Sequence, residues 1–288
     1  MIDLHTHTTA SDGRCSPEEL VARAAAAGVH VLGLTDHDTL AGCAAAAAAC
    51  ARAKITFVPG IEVTAVADGA DIHVLGYFVQ TNSPALLSFL SEQRQRRVNR
   101  VREMVGRLAA HGIALDADAI LAPAVTDSSK SVGRPWIARA LVAAGHVPNV
   151  AEAFNRWLSR GRPAFVPRVG ASPEEVFERI HAGGGIASLA HPGLIKHDEW
   201  LPHYAQNGLD ALEAYHSDHD ELTTAHYLGI AKTLRLGVSG GSDFHADDAH
   251  GGGGPGKVSL PQKHYEGLLR LRAARRASAS SPGSASSS

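Results

Sequence analysis

The sequence of 288 residues has little cysteine, little aromatic content and almost no net charge. Its three cysteines, Cys15, Cys43 and Cys50, are too few and too irregularly spaced for a disulfide framework, and they favour a reducing compartment. A formal charge of −2 argues against a basic surface for double-stranded DNA or for a membrane. Any anion must therefore be bound by a local cluster of cations.

Long apolar runs are also missing. None approaches the roughly 20 residues that a membrane-spanning helix needs, and no basic segment followed by an apolar core marks a secretory signal. We therefore expect a cytoplasmic protein without a membrane partner. With 44% hydrophobic and 19% charged residues, the chain has the composition of a globular protein. Its length suits one large α/β domain, or one such domain with an insertion.

Short apolar runs alternate with helical patterns over most of the chain. Strands are predicted at residues 1–7, 29–35, 57–66, 72–79, 185–190, 209–215 and 237–241, and helices at residues 20–27, 40–54 and 262–276. Ser16-Pro17-Glu18-Glu19 and Ser172-Pro173-Glu174-Glu175 each read as a helix start, with a capping serine, a proline and two acids. Asp68-Gly69 joins two of the strands as a hairpin signal. The alternation predicts an α/β fold of mainly parallel strands with crossover helices, in a barrel or an open sheet.

Residues 83–167 interrupt this alternation. The segment is almost entirely helical in pattern and contains a basic run around Arg97, Arg100 and Arg102. We interpret it as a small helical subdomain inserted into an α/β frame made of residues 1–82 and 168–276. Residues 277–288 are Ser and Ala with one Pro and one Gly, so we expect a disordered tail.

Histidines and carboxylates recur at the ends of the predicted strands. His5 and His7 project to the same side of the first strand because only one residue separates them. In a barrel of parallel strands the carboxyl ends share one face, which is the usual place for chemistry. The candidates that should converge there are His5, His7, Asp12, His37, Glu62, His73, His191, Asp243 and His245.

Nine nitrogen and oxygen ligands are more than one metal ion can use. They suit two or three divalent cations with a carboxylate bridging a pair. Because no cysteine belongs to the set, we expect Mn²⁺ first, with Zn²⁺ or Fe²⁺ as alternatives, and no structural zinc.

These residues lie in short motifs that resemble those of the PHP (polymerase and histidinol phosphatase) superfamily. The motifs are His5-Thr6-His7, Asp12-Gly13, Thr35-Asp36-His37-Asp38, Gly60-Ile61-Glu62, His191-Pro192 and Gly241-Ser242-Asp243-Phe244-His245. The resemblance implies a distorted (β/α)₇ TIM-like barrel with a dinuclear or trinuclear site. It also implies that His5, His7, Glu62 and Asp243 hold one ion, that Glu62, His73 and His191 hold a second, and that Asp12, His37 and His245 hold a third.

Paired divalent ions acidify water and neutralise charge on a phosphoester, so we expect in-line attack of an activated water on phosphorus. Asp243 or a neighbouring histidine would steer the proton. His37, His191 and His245 are the candidates that could protonate the leaving oxygen. The sequence does not choose among them.

Cations in the predicted insert suggest a substrate with a second phosphate. Gly133-Arg134-Pro135 reads as a helix start, where a guanidinium and free backbone N–H groups together bind phosphate. Lys130 adds a cation four residues earlier, and Arg97 and Arg100 are further candidates. The predicted substrate-binding residues are Arg134, Lys130, Arg97, Arg100, Asp12 and His37.

Lys130, Arg134-Pro135 and residues 161–167 resemble a stand-alone PHP branch that acts on nucleoside 3',5'-bisphosphates and trims short RNA from its 5' end. The resemblance implies conversion of adenosine 3',5'-bisphosphate to AMP, with the insert binding the 5'-phosphate. With only 5% Phe, Trp and Tyr, the sequence does not identify a stacking surface for the base.

Three other functions remain open. A histidinol-phosphate phosphatase would use the same metals but would not need Lys130 and Arg134. A PHP module of a replicative polymerase can lack catalysis, although the short chain and complete ligand set argue against it. A metal-dependent amidohydrolase often uses a lysine ligand, and no lysine follows a predicted strand at the required place.

Overall fold

The computed structural model describes residues 1–247 and 253–280. Seven strands form one sheet in which the spatial order follows the order in the chain. The strands are β1 (Ile2–Asp3), β2 (Val31–Leu34), β3 (Thr56–Ala67), β4 (Ala70–Tyr77), β5 (Ile186–Leu189), β6 (Ala211–Tyr215) and β7 (Gly237–Gly240).

The sheet is mainly parallel and comes close to closing on itself. Only β4 runs antiparallel to its two neighbours, because the turn at Asp68 and Gly69 makes a hairpin with β3. At the seam, Leu4 N–H donates to Gly240 O at 3.2 Å and His7 N–H donates to Phe244 O at 2.9 Å. The predicted α/β barrel is confirmed. Strand β1 is shorter than predicted, because its ladder with β2 ends at Asp3. Beyond it Leu4 and His7 bond across the seam, while Thr6 O still accepts from Thr35 N–H at 2.9 Å.

Eleven α-helices lie in the described part of the chain. They are α1 (Pro17–Ala26), α2 (Cys43–Ala53), α3 (Pro84–Ala110), α4 (Ala117–Thr126), α5 (Arg134–Ala143), α6 (Val150–Ala153), α7 (Pro173–Ala182), α8 (Pro192–Ile195), α9 (Leu201–Gln206), α10 (Glu221–Leu234) and α11 (Gln262–Ser280). A π-helical turn spans Phe154–Leu158, and a 3₁₀ turn spans Asp198–Trp200. None of these helices is long and apolar enough to cross a membrane.

Helix α1 begins where its sequence signal places it. The Ser16 hydroxyl accepts from Glu19 N–H at 3.2 Å, while the Glu19 carboxylate accepts from Ser16 N–H at 2.7 Å. This reciprocal capping satisfies two backbone donors that a helix start would otherwise leave open. Ser172 starts α7 with a similar bond to Glu175 N–H.

The buried apolar side chains form two clusters. One fills and surrounds the barrel, and the other joins α3, α4 and α5 between Val101 and Val166. Helix α3 belongs to both clusters, because Leu86 and Leu90 pack in the first and Met104 and Leu108 in the second. The second cluster supports a separate insert, whose predicted limits of 83 and 167 stay a prediction.

The C-terminal helix is longer than expected. Helix α11 continues to Ser280, four residues into the predicted tail, and the Ser278 hydroxyl donates to Ala274 O one turn earlier. Alanine at two of these four positions favours the helical continuation. The rest of the predicted tail, residues 281–288, lies outside the described residues.

Candidate metal centre and substrate cavity

The nine predicted ligands lie together at the end of the barrel where the parallel strands finish. Glu62, on β3, is at the centre of the group. Its Oε2 atom lies 3.4 Å from His5 Nε2, 3.2 Å from His7 Nε2 and 3.1 Å from His37 Nδ1. Its Oε1 atom lies 2.7 Å from His73 Nδ1 and 3.4 Å from His191 Nε2. One carboxylate therefore faces histidines on both of its oxygens, as a bridging ligand must.

Two further carboxylates lie on either side of His7. Asp243 Oδ1 is 3.2 Å from the Nε2 atoms of both His5 and His7. Asp12 Oδ1 is 3.2 Å from His245 Nε2, and Asp12 Oδ2 is 3.7 Å from His37 Nε2. Each group thus pairs carboxylate oxygens with imidazole nitrogens.

The side chains form groups whose donor atoms are close enough to share an ion. The first is His5, His7, Glu62 and Asp243, the second is His37, Glu62 and His73, and the third is His7, Asp12, His37 and His245. The first group is the one that the resemblance implied. In the second, His37 stands where His191 was expected, and His191 reaches the group through Glu62. Asp243, which the resemblance gave to the first ion, also lies 3.4 Å from His245 Nδ1.

The charges of this cluster are strongly coupled. Burial alone would raise the pKa of Glu62, but His37, His73 and His5 hold it well below its usual range. Burial lowers the pKa of His7, yet the carboxylates of Asp243 and Glu62 raise it to about 10. The site therefore keeps its carboxylates ionised and surrounds them with imidazoles.

The polar atoms at the centre fit divalent cations. His5 Nε2, His7 Nε2 and Glu62 Oε2 are buried and make no hydrogen bond within the described residues. Such atoms are costly in a protein interior unless another group binds them. A set of imidazole nitrogens and carboxylate oxygens suits Mn²⁺, Zn²⁺ or Fe²⁺. Any of the three groups could hold such an ion.

A cavity of about 440 Å³ opens over these ligands. Five arginines line it together with the ligands, namely Arg14, Arg97, Arg134, Arg139 and Arg168. Of the four cations predicted to bind substrate, Arg97 and Arg134 line this cavity. Arg100 lines a neighbouring groove, where its Nε donates to Val166 O at 2.8 Å, and Lys130 lies in the turn after α4 outside the cavity lining.

Comparison with known proteins identifies the family. The PHP domain model matches residues 3–120. The 5'-3' exoribonuclease Rnm of Escherichia coli is 35% identical over 252 residues, covering 84% of each chain. The 3',5'-nucleoside bisphosphate phosphatase of Chromobacterium violaceum is 36% identical over 273 residues, covering 93% of this chain and 92% of that one. This chain belongs to the PHP family.

A solved structure agrees with this assignment. A protein from Bifidobacterium adolescentis, described as a metal-dependent phosphoesterase, superimposes with a TM-score of 0.85 at 31% identity, covering 94% of this chain and 95% of that one. The protein is therefore a PHP phosphoesterase, and the fold and chemistry that the motifs implied are confirmed at this level.

The sequence analysis did not identify a buried carboxylate that lies beneath the nine predicted ligands. Glu213, on β6, accepts from the backbone N–H of His191 at 2.8 Å and lies 2.9 Å from His5 Nδ1. Through these bonds it holds two predicted ligands from different strands. A carboxylate on the far nitrogen of a metal-binding histidine fixes which nitrogen faces the ion. The available signal was a charged residue inside an otherwise apolar strand.

Two other residues near the predicted ligands had no predicted role. His216 is not among the predicted ligands, but its Nε2 lies 3.3 Å from Asp243 Oδ2. Arg168 was given no role, although it is only 10% exposed and lines the cavity.

His191 itself has a left-handed backbone with φ of 28°, which is strained for a residue with a side chain. The bond from Glu213 stabilises this conformation.

Proposed function

We propose that this PHP phosphoesterase removes the 3'-phosphate from nucleoside 3',5'-bisphosphates, so that adenosine 3',5'-bisphosphate gives AMP and phosphate. The observation that carries the proposal is that Arg97, Arg134 and Arg168 share one cavity with the metal-binding residues. A monoester held by the metal centre would leave these arginines without a partner in the substrate. A second phosphate on the same molecule would give them one.

Positive charge is in excess in the cavity wall and in the adjoining groove, to which Arg100 belongs. Four guanidinium groups, of Arg97, Arg100, Arg134 and Arg168, lie around only two carboxylates, of Asp38 and Asp71. Burial, reinforced by Arg97, lowers the pKa of Arg168 to about 9, and burial together with Arg134 lowers that of Arg100 to about 10. A bound dianion would relieve this repulsion.

The arginines are arranged so that they can bind one anion together. Arg97 pairs with Asp38, while Arg168 Nη1 lies 4.0 Å from the same carboxylate. Helix α5 begins at Arg134, and a Cβ placed on its cap residue Gly133 would lie only 3.2 Å from Arg97 Nη1. We assign the 5'-phosphate to Arg97, Arg134 and Arg168. Arg168 thereby takes the role that was predicted for Lys130.

We propose two or three Mn²⁺ ions as the cofactors, held by the three groups of ligands described above. When bound, such ions acidify a water molecule and stabilise negative charge on the phosphoryl oxygens. The chain itself supplies the side chains that move protons. Asp243, His37, His191 and His245 all line the cavity, so each lies where it could contact the substrate. Asp12 and His37 also line the cavity, as expected of residues that face the substrate.

Degradation of short RNA from its 5' end is a second candidate function. Release of a nucleoside 5'-monophosphate from RNA breaks the same bond between phosphorus and the 3'-oxygen. A second groove, of about 590 Å³, shares Arg134 with the cavity and is also lined by Arg160, Phe165 and Trp200. It gives room for a substrate longer than one nucleotide. We place the reaction in the cytoplasm, which the free thiols of Cys15, Cys43 and Cys50 favour.

The proposal is tested by phosphate release across a substrate panel. The panel holds the four nucleoside 3',5'-bisphosphates, histidinol phosphate, nucleoside monophosphates and 5'-phosphorylated oligoribonucleotides, each assayed with Mn²⁺ and with a chelator. We expect the bisphosphates to have the highest kcat/KM and the chelator to abolish turnover. Faster turnover of histidinol phosphate than of any bisphosphate would refute the proposal in favour of the monoesterase alternative.

A further inference from the structure

An apolar patch lines the cavity beside the polar centre. It consists of Pro135, Val150, Phe154, Leu194 and Ala246. These side chains share the cavity with seven histidines and acids and five arginines, so the cavity has a charged part and a hydrocarbon part. A purely ionic ligand such as inorganic phosphate would leave the hydrocarbon part in water.

The patch is formed by both halves of the molecule. Leu194 comes from the barrel, in the short helix α8 that follows His191, and its N–H donates to His191 O at 3.0 Å. Val150 and Phe154 come from the insert, at α6 and at the start of the π-helical turn. Leu194 is 50% exposed and lines the cavity. An exposed apolar side chain at such a place is available to a ligand.

The aromatic ring of Phe154 lies beside the proposed phosphate site. The Arg134 guanidinium carbon lies 5.8 Å from the centre of the Phe154 ring, and the remaining charge of Arg134 is directed to Asp71 at 3.4 Å. A ligand whose phosphate reaches Arg134 therefore has a flat apolar surface beside it. A nucleotide has this combination, because its base is joined to a phosphate through one sugar.

The lining also indicates how selective the site is. Among the described residues that line the cavity there is no Ser, Thr, Asn, Gln or Tyr. These are the uncharged side chains that would both donate to and accept from the edge of a base. Contacts with hydrocarbon and stacking on an aromatic ring depend little on which base is present.

We propose that Leu194, on the barrel, and Phe154, on the insert, hold the nucleobase of the substrate between them and do so without selecting the base. The inference rests on the proposed function and adds the subsite for the base. The volume of about 440 Å³ is of the size that holds one small ligand, so the cavity suits one nucleotide at a time.

The test compares substrates with and without a base. We measure kcat/KM for the 3',5'-bisphosphates of adenosine, guanosine, cytidine and uridine, and for the base-free 1-deoxyribose 3,5-bisphosphate. In the wild-type protein the four nucleotides should agree within about tenfold, and the base-free compound should be about 10- to 100-fold worse.

Variants locate the effect. Leu194→Ala should lower kcat/KM for the nucleotides about 3- to 10-fold and leave the base-free compound unchanged. Phe154→Leu keeps an apolar side chain in its packing position and should weaken all four nucleotides by a similar factor, with the base-free compound unchanged. Leu222→Ala is the matched control, because Leu222 is 81% exposed on α10 and does not line the cavity.

Binding without turnover separates this inference from the proposed function. Equilibrium dialysis of AMP and of ribose 5-phosphate should show that Leu194→Ala weakens only AMP. If no bisphosphate releases phosphate but AMP binding still falls in the variant, the proposed function fails and the base subsite stands. Equal losses for AMP and ribose 5-phosphate, or a preference of more than about 100-fold for one base, would overturn the subsite.

Discussion

The barrel end and the arginine-rich wall of the same cavity have opposite electrostatic character. At the barrel end, carboxylates such as Glu62 and Asp243 are packed among imidazoles and are suited to cations. In the wall, buried arginines outnumber carboxylates and are suited to an anion. The bond-breaking chemistry and the proposed binding of the second phosphate thus involve different side chains, although Arg168 follows the insert and belongs to the barrel frame. Variants should therefore separate them.

The largest effect is expected at the barrel end. Asp243→Asn removes a charge that faces both His5 and His7, and should lower kcat about 1,000-fold because metal stabilisation of the phosphoryl charge is lost. Asparagine also tolerates the left-handed backbone of Asp243, with φ of 51°, so the fold should persist. Steady-state kinetics and circular dichroism check this, with the 89% exposed Asp118→Asn as control. Normal turnover in Asp243→Asn would disprove its role.

A smaller effect is expected beneath the barrel end. Glu213→Gln leaves every predicted ligand in place but weakens the bonds to His5 and to the His191 backbone. We expect metal affinity to fall about 10- to 100-fold, and added Mn²⁺ to restore most of the kcat. Metal titration followed by elemental analysis measures this, and the exposed Glu92→Gln is the control. Unchanged affinity together with a low kcat would show that Glu213 acts in another way.

Substitution of an arginine in the cavity wall should change KM for the substrate. Arg134→Ala removes a cavity-lining guanidinium and should raise KM for a nucleoside 3',5'-bisphosphate about 10- to 100-fold, while KM for a monophosphate changes little. Arg102→Ala is the control, since Arg102 is 51% exposed and faces Asp118 outside the cavity lining. If both substrates lose equally, Arg134 does not bind the second phosphate.

The smallest effect is expected in the labelling of the buried cysteines, which distinguishes a loss of activity at the site from unfolding of the protein. Burial raises the pKa of Cys43 to about 12 and that of Cys50 to about 11, both on α2. At pH 8 a thiol with a pKa of about 11 is ionised in roughly one molecule in a thousand, so a thiol reagent should react slowly until the protein unfolds. All the variants above should show the same slow reaction. Rapid labelling in one of them would mean that its activity loss reports unfolding.

The barrel end was predictable from sequence, and the wall only in part, because Arg97 and Arg134 were predicted and Arg168 was not. His5, His7 and Asp243 were found because parallel strands bring their ends to one face, so position relative to a strand gives position in space. Glu213 escaped because it lies inside β6, where the sequence shows a buried strand and not its partner. Arg168 escaped because it follows no strand or helix signal, and its approach to Asp38 and Asp71 depends on how the insert packs on the barrel.

Helix α3 has a consequence for the mechanics of the molecule. With 27 residues it is about 40 Å long, and side chains near one end pack in the barrel cluster while those near the other end pack in the insert cluster. Because α3 is anchored in both clusters, a tilt of one cluster should be transmitted to the other. Loss of either anchor on heating should also release the other, which makes a single melting transition the natural behaviour of this chain.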